Sequence, residues 1–227
     1  MTDLKPSKLG TKEYWDKFYE QEKENFAENK ADTGESWFSD FNAEDKMVDF
    51  LVGQQEEGEL SGSETVLELG SGNGRLLFAL RDGEFSGKFT GLDYSLAAVE
   101  FAKSVAAEEG YKEGIDFVQA NFLNDDSWTS QKFDIILDKG TLDAIALSSD
   151  KYENDTRTAV QQYVVKVKGL LQDKGLFLIT SCNFTQEELI KTICEGGFTV
   201  SSTVDYPTFE FGGRRGQPIC TVAFVHS

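Results

Sequence analysis

From position 65 onward the chain alternates two hydrophobic patterns. Short, nearly continuous apolar runs occur at 65–70 (TVLELG), 89–94 (FTGLDY), 115–121 (IDFVQAN), 133–138 (FDIILD) and 175–180 (GLFLIT), and read as strands. Between them, segments at about 74–82, 96–109, 154–170 and 185–195 repeat apolar positions every three or four residues and read as helices. At the start of the last helix, Thr185 and Glu188 fit a capping box, with Phe184 and Leu189 as its hydrophobic staple. Strands this uniformly apolar need cover on both faces. The alternation therefore predicts an α/β fold, a doubly wound and mostly parallel sheet with helices on both sides. After the fifth strand the period drops to two. FTVSSTVDY and QPICTVAFVHS flank FEFGGRRG and predict a hairpin-like ending whose last strand is antiparallel.

Before position 65 the pattern is helical and aromatic. TKEYWDKFYEQEKENF places Trp15 and Phe18, and less regularly Tyr14, Tyr19 and Phe26, on faces of an acidic helix. A polar loop, AENKADTGES, ends in Trp37-Phe38, two large aromatics that need burial. AEDKMVDFLVGQQ reads as a second helix with Met47, Phe50 and Leu51 on one side. Residues 1–64 are thus expected to form a helical extension or lid packed on the domain formed by 65–227.

Composition narrows the partners. A chain of 227 residues with 39% hydrophobic and 12% aromatic content corresponds to one globular domain. Its 22 basic and 40 acidic residues give a formal charge of −18. That charge repels nucleic acid and anionic membranes and steers a basic protein inward, although solubility alone accounts for it equally well. Cys182, Cys194 and Cys220 show no CxxC spacing, and the single histidine is His226, so neither zinc nor a disulfide framework is expected. With no apolar leader or membrane-spanning run, the expectation is a soluble, cytoplasmic monomer in a reducing compartment.

The chemistry starts at VLELGSGNGR. In a doubly wound sheet, ligands bind beyond the carboxyl ends of the strands at the switch point. The turn Gly70-Ser71-Gly72-Asn73-Gly74 falls at the end of the first strand. A dinucleotide turn has G-x-G-x-x-G and places pyrophosphate on a helix N-terminus. Here the third glycine comes one residue early, and Glu68 adds negative charge at the entrance. A cationic ligand without phosphate fits better, and S-adenosylmethionine is one. Asp93-Tyr94 ends the second strand, where an acid takes the hydroxyls of a ribose in either cofactor class. Asn121-Phe122, ending the third, can flank an adenine or simply leave a strand.

The fourth strand ends in Asp138, followed by the turn Lys139-Gly140-Thr141. Methyl transfer to an amine needs a neutral nucleophile, a route for its proton and exclusion of water. Asp138 is the catalytic candidate on that ground. A helix N-cap or a hydrogen bond to the cofactor's ammonium serves as well. Asp143 reads as a local cap or ion-pair partner.

With these residues in place, the chain resembles the seven-stranded, Rossmann-like methyltransferases that use S-adenosylmethionine. GTKEYWDKFYE, DTGESWF, LELGSGNG, GLDYS, LDKGTLDAI, LFLITSCNFTQEEL and FGGRRGQ occur in that order and narrow the likeness. Together they resemble the lysine methyltransferases of translation elongation factor 1-alpha, the elongation factor methyltransferase 4 family. The resemblance implies that Glu68, Gly70, Gly72 and Gly74 line the methionine side of the cofactor. It assigns the ribose to Asp93 and the adenine to Asn121 and Phe122, with Trp37 closing over the cofactor from a lid. It departs at Asn121, where many relatives carry Asp, and at Leu142, where Phe is usual. A small-molecule methyltransferase of the same fold, an NAD-dependent oxidoreductase and a non-catalytic binding module are the competing readings. The oxidoreductase lacks a proton donor, since His226 is next to last.

Overall fold

The computed structural model describes residues 4–111, 113–152, 156–207, 209–211 and 214–226. In chain order the elements are α1 (Lys12–Glu28), α2 (Ala43–Glu56), β1 (Val66–Leu69), α3 (Arg75–Asp82), β2 (Phe89–Asp93), α4 (Leu96–Glu109), β3 (Ile115–Gln119) and β4 (Phe133–Lys139). There follow α5 (Thr141–Ala146), β5 (Lys151–Tyr152), β6 (Arg157–Thr158), α6 (Ala159–Leu170), β7 (Leu171–Ser181), α7 (Gln186–Cys194), β8 (Phe198–Val204), β9 (Phe209–Phe211), β10 (Arg214–Gly216) and β11 (Cys220–His226).

Seven strands form one sheet in the order β3-β2-β1-β4-β7-β11-β8. Every pairing is parallel except those of β11, which runs antiparallel to both β7 and β8. The chain moves outward from β1 to β3 and then crosses to β4 on the other side of β1. The loops after β1 and β4 therefore diverge and open a crevice between them.

Alternation along the strands sends side chains into two cores, one per face. Val66, Ile135 and Leu137 join Phe78, Phe101 and Met47 under α1–α4. Leu67, Leu69 and Ile136 join Tyr163, Val167 and Leu189 under α6 and α7. The parity reaches the strand ends. Glu68 pairs in register with Leu137, so Glu68 and Lys139 share the α1–α4 face, while Asp138 turns toward α6.

The strands expected from the apolar runs are all present. The capping box at Thr185 and Glu188 closes the first turn of α7, with Phe184 and Leu189 buried beside it. Other boundaries move for local reasons. α6 starts at Ala159 rather than 154, because Thr158 and Gln161 cap each other there. The residues ahead of it pair instead as the ribbon β5–β6. β7 begins at Leu171, four residues early, with Gln172, Asp173 and Lys174 exposed and therefore silent in hydrophobicity. α5 has only six residues, too few to display a helical period. In α1 the buried aromatics are Tyr19 and Phe26, not Trp15 and Phe18. Phe26 meets Phe101 of α4 edge to face at 5.7 Å, while Trp15, Phe18 and Trp37 cluster at the mouth of the crevice.

Candidate active site

Beyond the carboxyl ends of β1, β2 and β4 lies a cavity of about 250 Å³. Its floor is the turn after β1. A Cβ on Gly70 would collide with the Thr141 hydroxyl, which donates to Leu69 O at 2.7 Å and ties the turn to α5. At Gly72, with φ near 52°, a Cβ would run into the Tyr19 hydroxyl from α1. Glycine is therefore required by backbone angle and by the close approach of neighbours.

The expected site residues converge here. Trp37, Glu68, Gly70, Ser71, Gly72, Asn73, Asp93, Tyr94, Asn121 and Phe122 all line the cavity. Two do not. Gly74 sits behind the turn, its space bounded by Phe117 and Phe78. Asp138 is fully buried on the opposite face of the sheet. Its oxygens accept from Thr141 N (2.8 Å), Leu142 N (3.0 Å) and the Tyr163 hydroxyl (2.5 Å). Asp138 thus fastens the first two amides of α5 from two residues ahead of Gly140, which occupies the N-cap position itself. Burial pushes its carboxyl up to about 7, against the pull of Tyr163 and the two amides.

Asp93 is buried but anchored, accepting from Gly72 N at 3.1 Å and Ser95 N at 2.9 Å. These bonds fix its carboxylate against the glycine turn and link β1 to the start of α4. Burial raises it to about 6, with the two amides opposing the rise. Glu68 is the converse. It is 3% exposed, and its Oε2 has no hydrogen-bond partner. Burial holds its carboxyl well above the usual range, and the Lys139 ammonium opposes that rise. A buried carboxylate oxygen without a partner is costly and is relieved by a cation in the cavity.

Asp143, expected as a local cap or ion-pair partner, lines the cavity. It is hydrogen-bonded by the Ser181 hydroxyl and by the amides of Cys182 (2.8 Å) and Asn183 (3.1 Å). It thus holds the loop after β7 against α5, a long-range role that local spacing did not disclose.

The N-terminal segment roofs the cavity with Leu9, Trp15, Tyr19, Glu35, Trp37 and Phe38. The glycine turn grips this roof. Asn73 Nδ2 donates to Thr33 O (2.9 Å) and Glu35 O (3.3 Å), and Arg75 donates to the Thr33 hydroxyl (2.9 Å). Lys139 Nζ reaches Trp37 O at 3.3 Å. Trp37 Nε1 and Ser71 Oγ are, like Glu68 Oε2, buried polar atoms without partners at the cavity.

Among the described residues the cavity lining is strongly acidic, with Glu35, Glu68, Asp93, Asp143 and Asp150 against Lys139 alone. S-adenosylmethionine carries a sulfonium and an ammonium that such acids would hold, a carboxylate that the orphaned donors would take, and hydroxyls that Asp93 would accept from. The residues present fit it.

A methyltransferase-domain family matches residues 60–213. Protein-lysine N-methyltransferase EFM4 of Saccharomyces cerevisiae is 49% identical over 223 residues, spanning 98% of this chain and 96% of that protein. EEF1A lysine methyltransferase 2 of Homo sapiens is 38% identical, spanning 96% and 87%.

The chain belongs to this family of protein-lysine methyltransferases.

Solved structures agree on the fold. An S-adenosylmethionine-dependent methyltransferase from Clostridium acetobutylicum superposes with a TM-score of 0.62 at 14% identity, covering 92% of this chain and 99% of that one. Magnesium protoporphyrin IX methyltransferase from Synechocystis, solved with S-adenosylmethionine bound, gives 0.57 at 16%, covering 92% and 97%. The enzyme's cofactor is S-adenosylmethionine. No helix among the described residues is long and apolar enough to cross a membrane.

Proposed function

We propose that this methyltransferase modifies a lysine ε-amine of translation elongation factor 1-alpha, with the cavity as its cofactor site. The observation that carries the substrate is identity of 36–49% across nearly the whole chain to enzymes named for that activity or for EFM4. The match includes the N-terminal roof, not only the shared domain. Glu68 faces the positive end of the cofactor, Asp93 takes the ribose hydroxyls, and Asn121 with Phe122 borders the adenine. Trp37 closes the roof.

When bound, the cofactor supplies an electrophilic methyl on a sulfonium. The chain's task is then to position the amine, keep water out and take up the proton that the lysine ammonium must lose before it can attack. Aromatic walls from Trp15, Trp37 and Phe38 exclude water. The acidic lining draws in a lysine ammonium, and its carboxylates near the mouth offer a path for the departing proton. Asp138 acts as a positioning residue, holding the start of α5 and, through it, Asp143.

Incubation with labelled S-adenosylmethionine and purified elongation factor 1-alpha tests the assignment. The expected result is label on that protein, confined to lysine-bearing peptides by mass spectrometry. Label on other proteins of a lysate, with elongation factor 1-alpha unlabelled, would overturn the substrate and leave the cofactor site standing.

A further inference from the structure

We propose that Lys139 is a positioning residue that couples the charge on Glu68 to closure of the N-terminal roof. The two side chains come from adjacent strands, β4 and β1, and share one face of the sheet. Lys139 is the sole cation lining the cavity among the described residues, and its side chain is 11% exposed. Its ammonium donates to Trp37 O in the roof and stands 4.0 Å from Glu44 Oε2 at the start of α2. One buried charge therefore touches the roof and α2 while favouring the ionised form of Glu68 in the floor.

The surroundings explain why a cation is needed there. Glu68 is faced by Lys139 from β4, Glu44 from α2 and Asp93 from β2, with the Tyr19 hydroxyl of α1 nearby, and Asp138 adds its charge from the far side of the sheet. Four carboxylates without a counter-charge would favour protonation, and a protonated Glu68 attracts a cationic cofactor weakly. Lys139 opposes that proton uptake. It holds the roof at Trp37 O, next to the orphaned indole nitrogen, so the floor and the roof are prepared by the same amine.

The sign follows directly. Cofactor affinity rises with pH as Glu68 loses its proton. Removing the facing cation raises the pH at which that proton leaves, so the rise in affinity moves to higher pH. Because the cofactor's own ammonium titrates identically in every variant, comparing variants isolates the protein's contribution.

The test uses calorimetric S-adenosylmethionine binding from pH 5.5 to 8 for wild type, Lys139→Met, Lys139→Arg and Glu68→Gln. Circular dichroism and thermal unfolding confirm that each is folded. Lys139→Met should move the rising limb upward by about one pH unit or more. Lys139→Arg should restore it, and Glu68→Gln should leave only the shallower rise that Asp93 contributes around pH 6. Independently of any cofactor, hydrogen exchange at 33–38 should quicken several-fold in Lys139→Met. An unchanged profile and unchanged exchange in Lys139→Met would overturn the proposal, as would tighter binding at every pH. This proposal rests on Glu68 as the cofactor's acidic partner. If Glu68→Gln binds like wild type, that reading fails too, whereas a failure confined to the Lys139 variants leaves it intact.

Discussion

Two carboxylates end neighbouring strands, and their surroundings divide their labour. Glu68 has a free oxygen at a cavity, while Asp138 has three donors and no cavity. Asp138 therefore governs stability more than binding. Its carboxyl titrates near 7 in the fold and near the usual carboxylate value when unfolded. Between those values the folded state holds more protons than the unfolded one. Its contribution is complete below about pH 4 and is lost as pH rises through about 7, on the order of 4 kcal/mol. Urea unfolding of the cofactor-free Asp138→Asn variant should show a shallower decline in stability from pH 4 to 7 than wild type. Tyr163→Phe, which removes one of its donors, should cost about 1–3 kcal/mol. An Asp138→Asn profile parallel to wild type would remove this linkage. Both acids were visible as strand-ending carboxylates, but their separation by face was not. It depends on which residue of β4 lies beside Glu68, and only the register shows that Leu137 does. With that pairing known, parity alone assigns Lys139 to the cavity and Asp138 to the far side.

At the scale of elements, α1 enters the core through Tyr19 and Phe26, whereas the loop from 29 to 38 that completes the roof is latched by polar contacts. Trp15, Phe18 and Trp37 touch one another at 5.4–6.2 Å and are only half-buried. The loop from 29 to 38 is fastened to the glycine turn through Asn73 and Arg75. Such a segment opens locally at less cost than the sheet beneath it. Asn73→Ala removes both hydrogen bonds to the loop, together with a long one accepted from Arg75 N at 3.5 Å. Amide exchange at 33–37 should rise about tenfold, with exchange in β1 and β4 unchanged. Equal exchange in the roof would place the latch elsewhere. The sheet itself was legible because buried parallel strands are nearly continuous in hydrophobicity. The roof was legible only as two aromatics in need of burial. Trp37 and Phe38 gave no sign of their partners, which lie far away in sequence: Trp15 and Phe18 of α1 for Trp37, and a cluster with Tyr206 and Ile219 for Phe38. α5 escaped because six residues carry no period, and with it the reach of Asp143 to the loop after β7.

For the molecule as a whole, the formal charge of −18 and the acidic cavity act in the same direction. The field drawing a basic protein toward the surface continues into a mouth that accepts a lysine ammonium. Long-range attraction is screened over about 8 Å at physiological ionic strength, whereas contacts inside a roofed cavity are screened far less. The two ranges therefore separate on addition of salt. With elongation factor 1-alpha as substrate, kcat/KM should fall about tenfold between 50 and 300 mM salt, carried mainly by KM. Affinity for S-adenosylmethionine, measured in the same buffers, should change several-fold less, because its acidic partners are buried. If kcat/KM stays flat while cofactor affinity holds, the surface charge serves solubility alone, and recognition must come from shape and apolar contact around the mouth. If both fall together, the cavity is open to ions, and the roof formed by Trp15, Trp37 and Phe38 is not closed in solution.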